Sequence, residues 1–83
     1  MNINLEEITH NMVVNGPMPA KDIAKAVGKP YATFMRELNP NDGAAKLGAN
    51  TFIRILEATG DTGPLREIAA RFGMSLVPVK AAS

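Results

Sequence analysis

The sequence predicts an all-α fold of five short helices, and three observations carry that prediction. Apolar residues recur at spacings of three, four and seven in successive stretches, the period of an amphipathic helix. Gly, Pro and Asn, which start and stop helices, punctuate those stretches. Within residues 20–39, two such stretches meet at Gly28 in the pattern of a helix-turn-helix.

The first helix is expected over residues 5–14. Asn4 followed by Glu7 is the spacing of a capping box, Leu5, Ile8 and Met12 form an apolar stripe, and Gly16 with Pro17 ends it. Pro19 suits the first turn of the second helix, which should finish near Val27 with Gly28 just beyond. Ile23, Ala24 and Val27 share one face there, and the small Ala24 lets the next helix cross closely. Gly28 can take the left-handed backbone that a tight turn between helices requires. Pro30 opens a third helix reaching Leu38, with Phe34 and Leu38 inward and Asn39-Pro40 as its stop; Asn41-Asp42-Gly43 is turn material. The fourth helix should run over residues 49–59, with Gly48 as cap, Leu47 and Phe52 as a hydrophobic staple, and Phe52, Ile55 and Leu56 inward. Gly60 ends it. Pro64 opens the fifth, which carries Leu65, Ile68, Ala69 and Phe72 at helical spacing and stops at Gly73. Residues 74–79 (MSLVPV) read as a short extended tail, and the last four residues as loose. This is the layout of the lambda-repressor-like DNA-binding domains.

At 83 residues the chain is expected to be a single domain spanning 1–83. A chain of this size buries only about 60% of its unfolded surface. With no cysteine there is neither a disulfide nor a thiolate zinc site to compensate, so association with a second copy is a natural expectation. The apolar Leu76, Val77 and Val79 either pair with their equivalents in that copy or fold back over their own core. No long apolar run and no leader-like segment is evident, which points to a cytoplasmic protein without a membrane partner.

Net charge is only +1, but its distribution is uneven. Residues 1–19 hold Glu6 and Glu7 without a lysine or arginine, whereas residues 20–40 hold Lys21, Lys25, Lys29 and Arg36 against Asp22 and Glu37. The positive excess therefore lies in the helix-turn-helix. His10 has no second histidine or cysteine to share a metal with, and a surface position on the first helix suits it better. Asp42, Asp61, Glu6 and Glu7 each have a turn or helix-start role to fill. No nucleophile–base pair or phosphate-cradling glycine loop is evident, so the chain is not expected to be an enzyme or to need a cofactor.

From Lys21 onward the chain resembles the phage regulatory CII family of bacteriophages and related prophages. The resemblance rests on Leu38-Asn39-Pro40, Lys46-Leu47, Ala58-Thr59-Gly60-Asp61, Pro64-Leu65, Ile68-Ala69, Phe72-Gly73 and Leu76-Val77-Pro78. It implies a prophage transcription regulator that binds promoter DNA as an oligomer, either activating or repressing. Lys29 and Glu37 depart from the general helix-turn-helix pattern, in which their places are often apolar. Both can be accommodated along the rim with their charges in water.

In such a motif the N-terminal half of the second helix enters the major groove. Phe34 and Leu38 should be core, while Ala32, Thr33, Met35 and Arg36 lie away from that stripe. Tyr31 begins the stripe but sits at the exposed end, so both groove contact and packing stay open for it. Thr33 can meet a thymine methyl or a polar base edge, and Arg36 can pair with the two acceptors of guanine, or else with a phosphate. Lys21 and Lys29 suit backbone positioning, as does Lys46 from the following loop. The function expected is sequence-specific binding of double-stranded DNA by a dimer, with RNA polymerase blocked or contacted at the promoter. The rival reading is a protein-interaction module, an antirepressor or adaptor on the same scaffold without DNA binding; near-neutral charge and Glu37 favour it. RNA binding has little support, since a single tyrosine offers no stacking platform.

Overall fold

The structure, a computed structural model, describes residues 4–42 and 45–79; the expected turn residue Gly43 and the final four residues lie outside the described residues. Among the described residues five helices follow one another: α1 Leu5–Asn15, α2 Ala20–Ala26, α3 Tyr31–Leu38, α4 Ala49–Thr59 and α5 Gly63–Arg71. No strand occurs among the described residues, and residues 74–79 run on without regular structure. The all-α prediction holds.

Local chemistry explains most of the boundaries. Asn4 caps α1, with its Oδ1 accepting the Glu7 N–H at 3.0 Å. Pro19 and Pro30 stand one place earlier than helical position one, as the caps of α2 and α3, with φ of −59° and −58°. Their carbonyls still accept the first bonds of each helix, from Ile23 and Phe34 respectively. Gly28 then adopts φ +78°. Its N–H donates to the Lys25 carbonyl and the Lys29 N–H to the Ala24 carbonyl, a Schellman closure that turns the chain sharply from α2 into α3. The α4 boundaries fall where the staple predicts, with Leu47 and Phe52 both buried.

The core is one cluster of Val13, Ile23, Ala24, Val27, Phe34, Leu38, Leu47, Phe52 and Ile55. Phe34 at 0% exposure is its largest fully buried member, held where α3 lies against both α1 and α2. α2 also packs on α4, and α1 on α5. Ala24, 1% exposed, is the small side chain at the close approach. A hydrogen bond from the Leu47 N–H to Glu6 Oε2 (3.3 Å) ties the start of α4 to α1 across the chain.

Two helices bury faces other than those their apolar spacing predicts. In α1 the deepest residues are Thr9 and Val13, not the stripe of Leu5, Ile8 and Met12, of which Leu5 and Met12 only flank the core. α2, α3 and α5 all pack on this helix, and the residues enclosed among them are the β-branched Thr9 and Val13. In α5, Ile68 reaches the core, but Leu65 remains 39% and Phe72 69% exposed. α5 packs chiefly on α1, so most of its circumference faces outward.

The burial of Thr9 has a measurable consequence. Its hydroxyl is fully enclosed and has no hydrogen-bond partner. A buried, unmatched polar group costs about 1–3 kcal/mol. Thr9→Val keeps the branched shape and removes the hydroxyl, and should stabilise the fold by about 1 kcal/mol, or about 4–8 °C in Tm for a chain of this size. A thermal melt showing no gain would mean that the hydroxyl is satisfied in solution.

Candidate nucleic-acid interface

α3 lies with one side on the body and the other open. Phe34 and Leu38 are both 0% exposed, whereas Pro30, Tyr31, Ala32, Thr33 and Arg36 are exposed. Ala32, Thr33 and Arg36 are related by three and four residues and so share the outward face. Met35, expected outward, is half-buried and packs on the core beside Phe34. The N-terminal end of α3 is uncovered. Pro30 offers no side-chain cap, so the N–H groups of the first turn point out beyond the helix end.

Charged partners surround this helix. Lys21, exposed near the start of α2, places its Nζ 5.6 Å from the centre of the Tyr31 ring, within range of a cation–π contact. Two of the expected residues thus meet, on the side of α3 nearest α2. Tyr31 is 45% exposed, partner to Lys21 while its ring edge stays open. The Lys29 ammonium donates to Glu37 Oε2 at 3.0 Å, with the two side chains 29% and 15% exposed. The two charges that interrupt the apolar pattern answer each other along the flank of α3. Glu37 Oε1 is buried without a hydrogen-bond partner. Lys46 is exposed in the segment before α4. Lys25, in the last turn of α2, is a further exposed cation that sequence reasoning did not place in the site.

Arg36 is the cation that α3 carries, its side chain 62% exposed, and its Nε donates to Asp42 Oδ2 at 3.1 Å. Asp42 was expected only as turn material. The turn is what delivers it. Asn39 Oδ1 accepts the Asn41 N–H at 2.9 Å and the Asp42 N–H donates to the Asn39 carbonyl at 3.1 Å, folding the chain back toward the end of α3. An Asn-Pro stop followed by an aspartate was the signal that could have found it.

A second exposed surface is apolar. Phe72, Met74, Val77 and Val79 are 69–82% exposed, with Leu76 at 39%. The tail therefore does not fold back to cover its own core. Among the described residues no helix is long and apolar enough to cross a membrane.

Fold and surface together define a small all-helical protein that presents one short helix, edged with cations, from its body. The family is settled by comparison: the family model of Phage regulatory protein CII (CP76) matches residues 3–83, and the chain belongs to that family. No curated protein and no solved structure matches it.

Proposed function

We propose that this phage regulatory protein is a sequence-specific DNA-binding transcriptional regulator that lays α3 in the major groove and works as a dimer. The observation that carries the reading is the free outward face of Ala32, Thr33 and Arg36, beside an uncovered helix end. A rod anchored by Phe34 and Leu38 and bare on its far side has the form a groove accepts. Arg36 and Thr33 read base edges; Ala32 and Tyr31 line the contact, with Met35 supporting from the inner edge. Lys21, Lys29 and Lys46 meet phosphates, Lys29 once it leaves Glu37. The matched span acts as one DNA-binding domain in the bacterial cytoplasm, where promoter occupancy blocks or contacts RNA polymerase.

The apolar surface of Phe72, Met74, Val77 and Val79 suits pairing with a second copy. Two α3 helices about 34 Å apart would then meet successive turns of one duplex. The same surface supports the rival reading, a protein-interaction module without DNA binding.

A salt titration separates the two. Binding to mixed-sequence duplex should weaken linearly in log–log form as salt rises, because phosphate contacts release counterions. Lys21→Ala should weaken selected and mixed-sequence duplexes alike and flatten the slope by about 0.9 for each copy bound, one phosphate contact per copy. A wild-type protein that binds no duplex at low salt would favour the interaction module. A Lys21→Ala slope equal to wild type would remove Lys21 from the interface.

A further inference from the structure

Asp42 holds Arg36 from the stem side of its guanidinium. The contact is through Nε, at 3.1 Å from Oδ2, and among the described residues the guanidinium has no other partner. Its two terminal nitrogens are left over. The carboxylate is itself fixed, because Oδ1 accepts the Ala45 N–H at 3.2 Å and the Asp42 side chain is only 22% exposed. An anchored acceptor thus grips the stem side of a 62% exposed arginine.

That geometry bears on base reading. The end-on pair of guanidinium nitrogens matches the N7 and O6 acceptors of guanine, and Arg is the side chain that most often makes this contact. A free arginine on a helix edge can equally swing to a phosphate, which adds affinity without sequence information. A carboxylate at Nε opposes that swing twice. It restricts the rotamers, so less freedom is lost on binding. Its own negative charge would also be carried toward the phosphates if the pair moved to the backbone, an electrostatic clash that disfavours the wrong target.

Resting on the reading that α3 enters the major groove, we infer that Asp42 is a specificity-determining positioning residue: it aims Arg36 at guanine and keeps it off the phosphate backbone. Asp42 touches no base; it acts through Arg36. Removing its charge therefore raises affinity for DNA in general while lowering discrimination.

The test uses the full chain and a randomised duplex library, with the most enriched duplex compared against a mixed-sequence one. Asp42→Asn retains an oxygen for the Ala45 N–H and loses the charge. Mixed-sequence affinity should rise about threefold, the salt slope should steepen by about 0.9 for each copy bound as Arg36 reaches a phosphate, and discrimination should fall about tenfold. Arg36→Lys, which leaves the loop untouched, keeps the charge but lacks both Nε and the terminal fork, and should lose discrimination to a similar degree. Adding Asp42→Asn to Arg36→Lys should change discrimination no further.

Unchanged discrimination in Asp42→Asn, or a full further loss when it is added to Arg36→Lys, would overturn the inference. If Asp42→Asn fails to melt cooperatively, Arg36→Lys decides: wild-type discrimination in that variant overturns the inference as well. Wild-type protein that binds no duplex would remove the DNA reading itself, and this inference with it. A wild type that enriches a guanine-free site would remove this inference alone.

Discussion

Phe34→Ala should cost the protein a large share of its stability, enough to unfold it at room temperature if the total lies at the low end of the usual range. Phe34 is wholly buried where α3 packs on α1 and α2, and it is the largest of the fully buried side chains. Truncating a buried phenylalanine costs about 3–5 kcal/mol, the lost transfer energy plus the cavity left behind. A chain of 83 residues has about 4–12 kcal/mol of total stability at the usual values per residue. The loss would take much or all of that. Urea melts followed by circular dichroism should show a strongly lowered midpoint or no folded baseline, and Phe34→Leu should recover most of the difference. The same variant bears on function, because Phe34 fixes the rotation of α3 about its axis. If Phe34→Ala melted like wild type, α3 would not be the anchored rod that the interface requires.

Arg36→Ala should abolish most of the discrimination between an enriched duplex and mixed sequence. A well-formed pair with guanine is worth about 1–3 kcal/mol against the wrong base, which corresponds to about 5–150-fold for one copy. In a dimer the two contributions add if the half-sites are independent. Stability should hardly change, since an exposed pair such as Arg36 with Asp42 contributes about 0–1 kcal/mol. Competition binding at fixed salt, alongside a thermal melt, distinguishes this outcome from general damage. Equal loss on both duplexes would make Arg36 a phosphate contact. No loss on either would remove it from the interface.

Much of the fold was legible because punctuation and periodicity agreed. Gly28, Pro30 and the Leu47–Phe52 staple marked boundaries that the helices respect to within a residue. Burial was less legible. α1 is buried by neighbours distant in the chain, so its inward face depends on their positions and not on which of its residues are most apolar. That is how Thr9 came to be enclosed in place of Ile8. Leu65 and Phe72 had helical spacing as well, but α5 packs on little besides α1, and periodicity cannot say whether a partner exists.

In the candidate site, the outward positions of Ala32, Thr33 and Arg36 followed from the Phe34–Leu38 register, but the same register put Met35 outward, where the structure half-buries it against the core. The ion pairs did not follow from it. Lys29 and Glu37 are eight residues apart, too far for the usual neighbour rule along one helix, and they meet because Lys29 precedes α3 and lies along it. Asp42 reaches Arg36 only after the chain reverses at Asn39-Pro40, a reversal whose direction no spacing rule encodes.

The bend at Gly28 sets which mutational routes are open to this protein. A Cβ added there meets nothing within 4 Å, so the penalty for replacing the glycine comes from its φ of +78° and not from crowding. Asparagine, which tolerates that region, is the cheapest neighbour for drift, and alanine would cost about 1–2 kcal/mol. Valine or isoleucine would strain the backbone further and tilt α3 away from its present angle. The position is thus permissive in volume and strict in handedness, which narrows evolutionary change there to a very short alphabet.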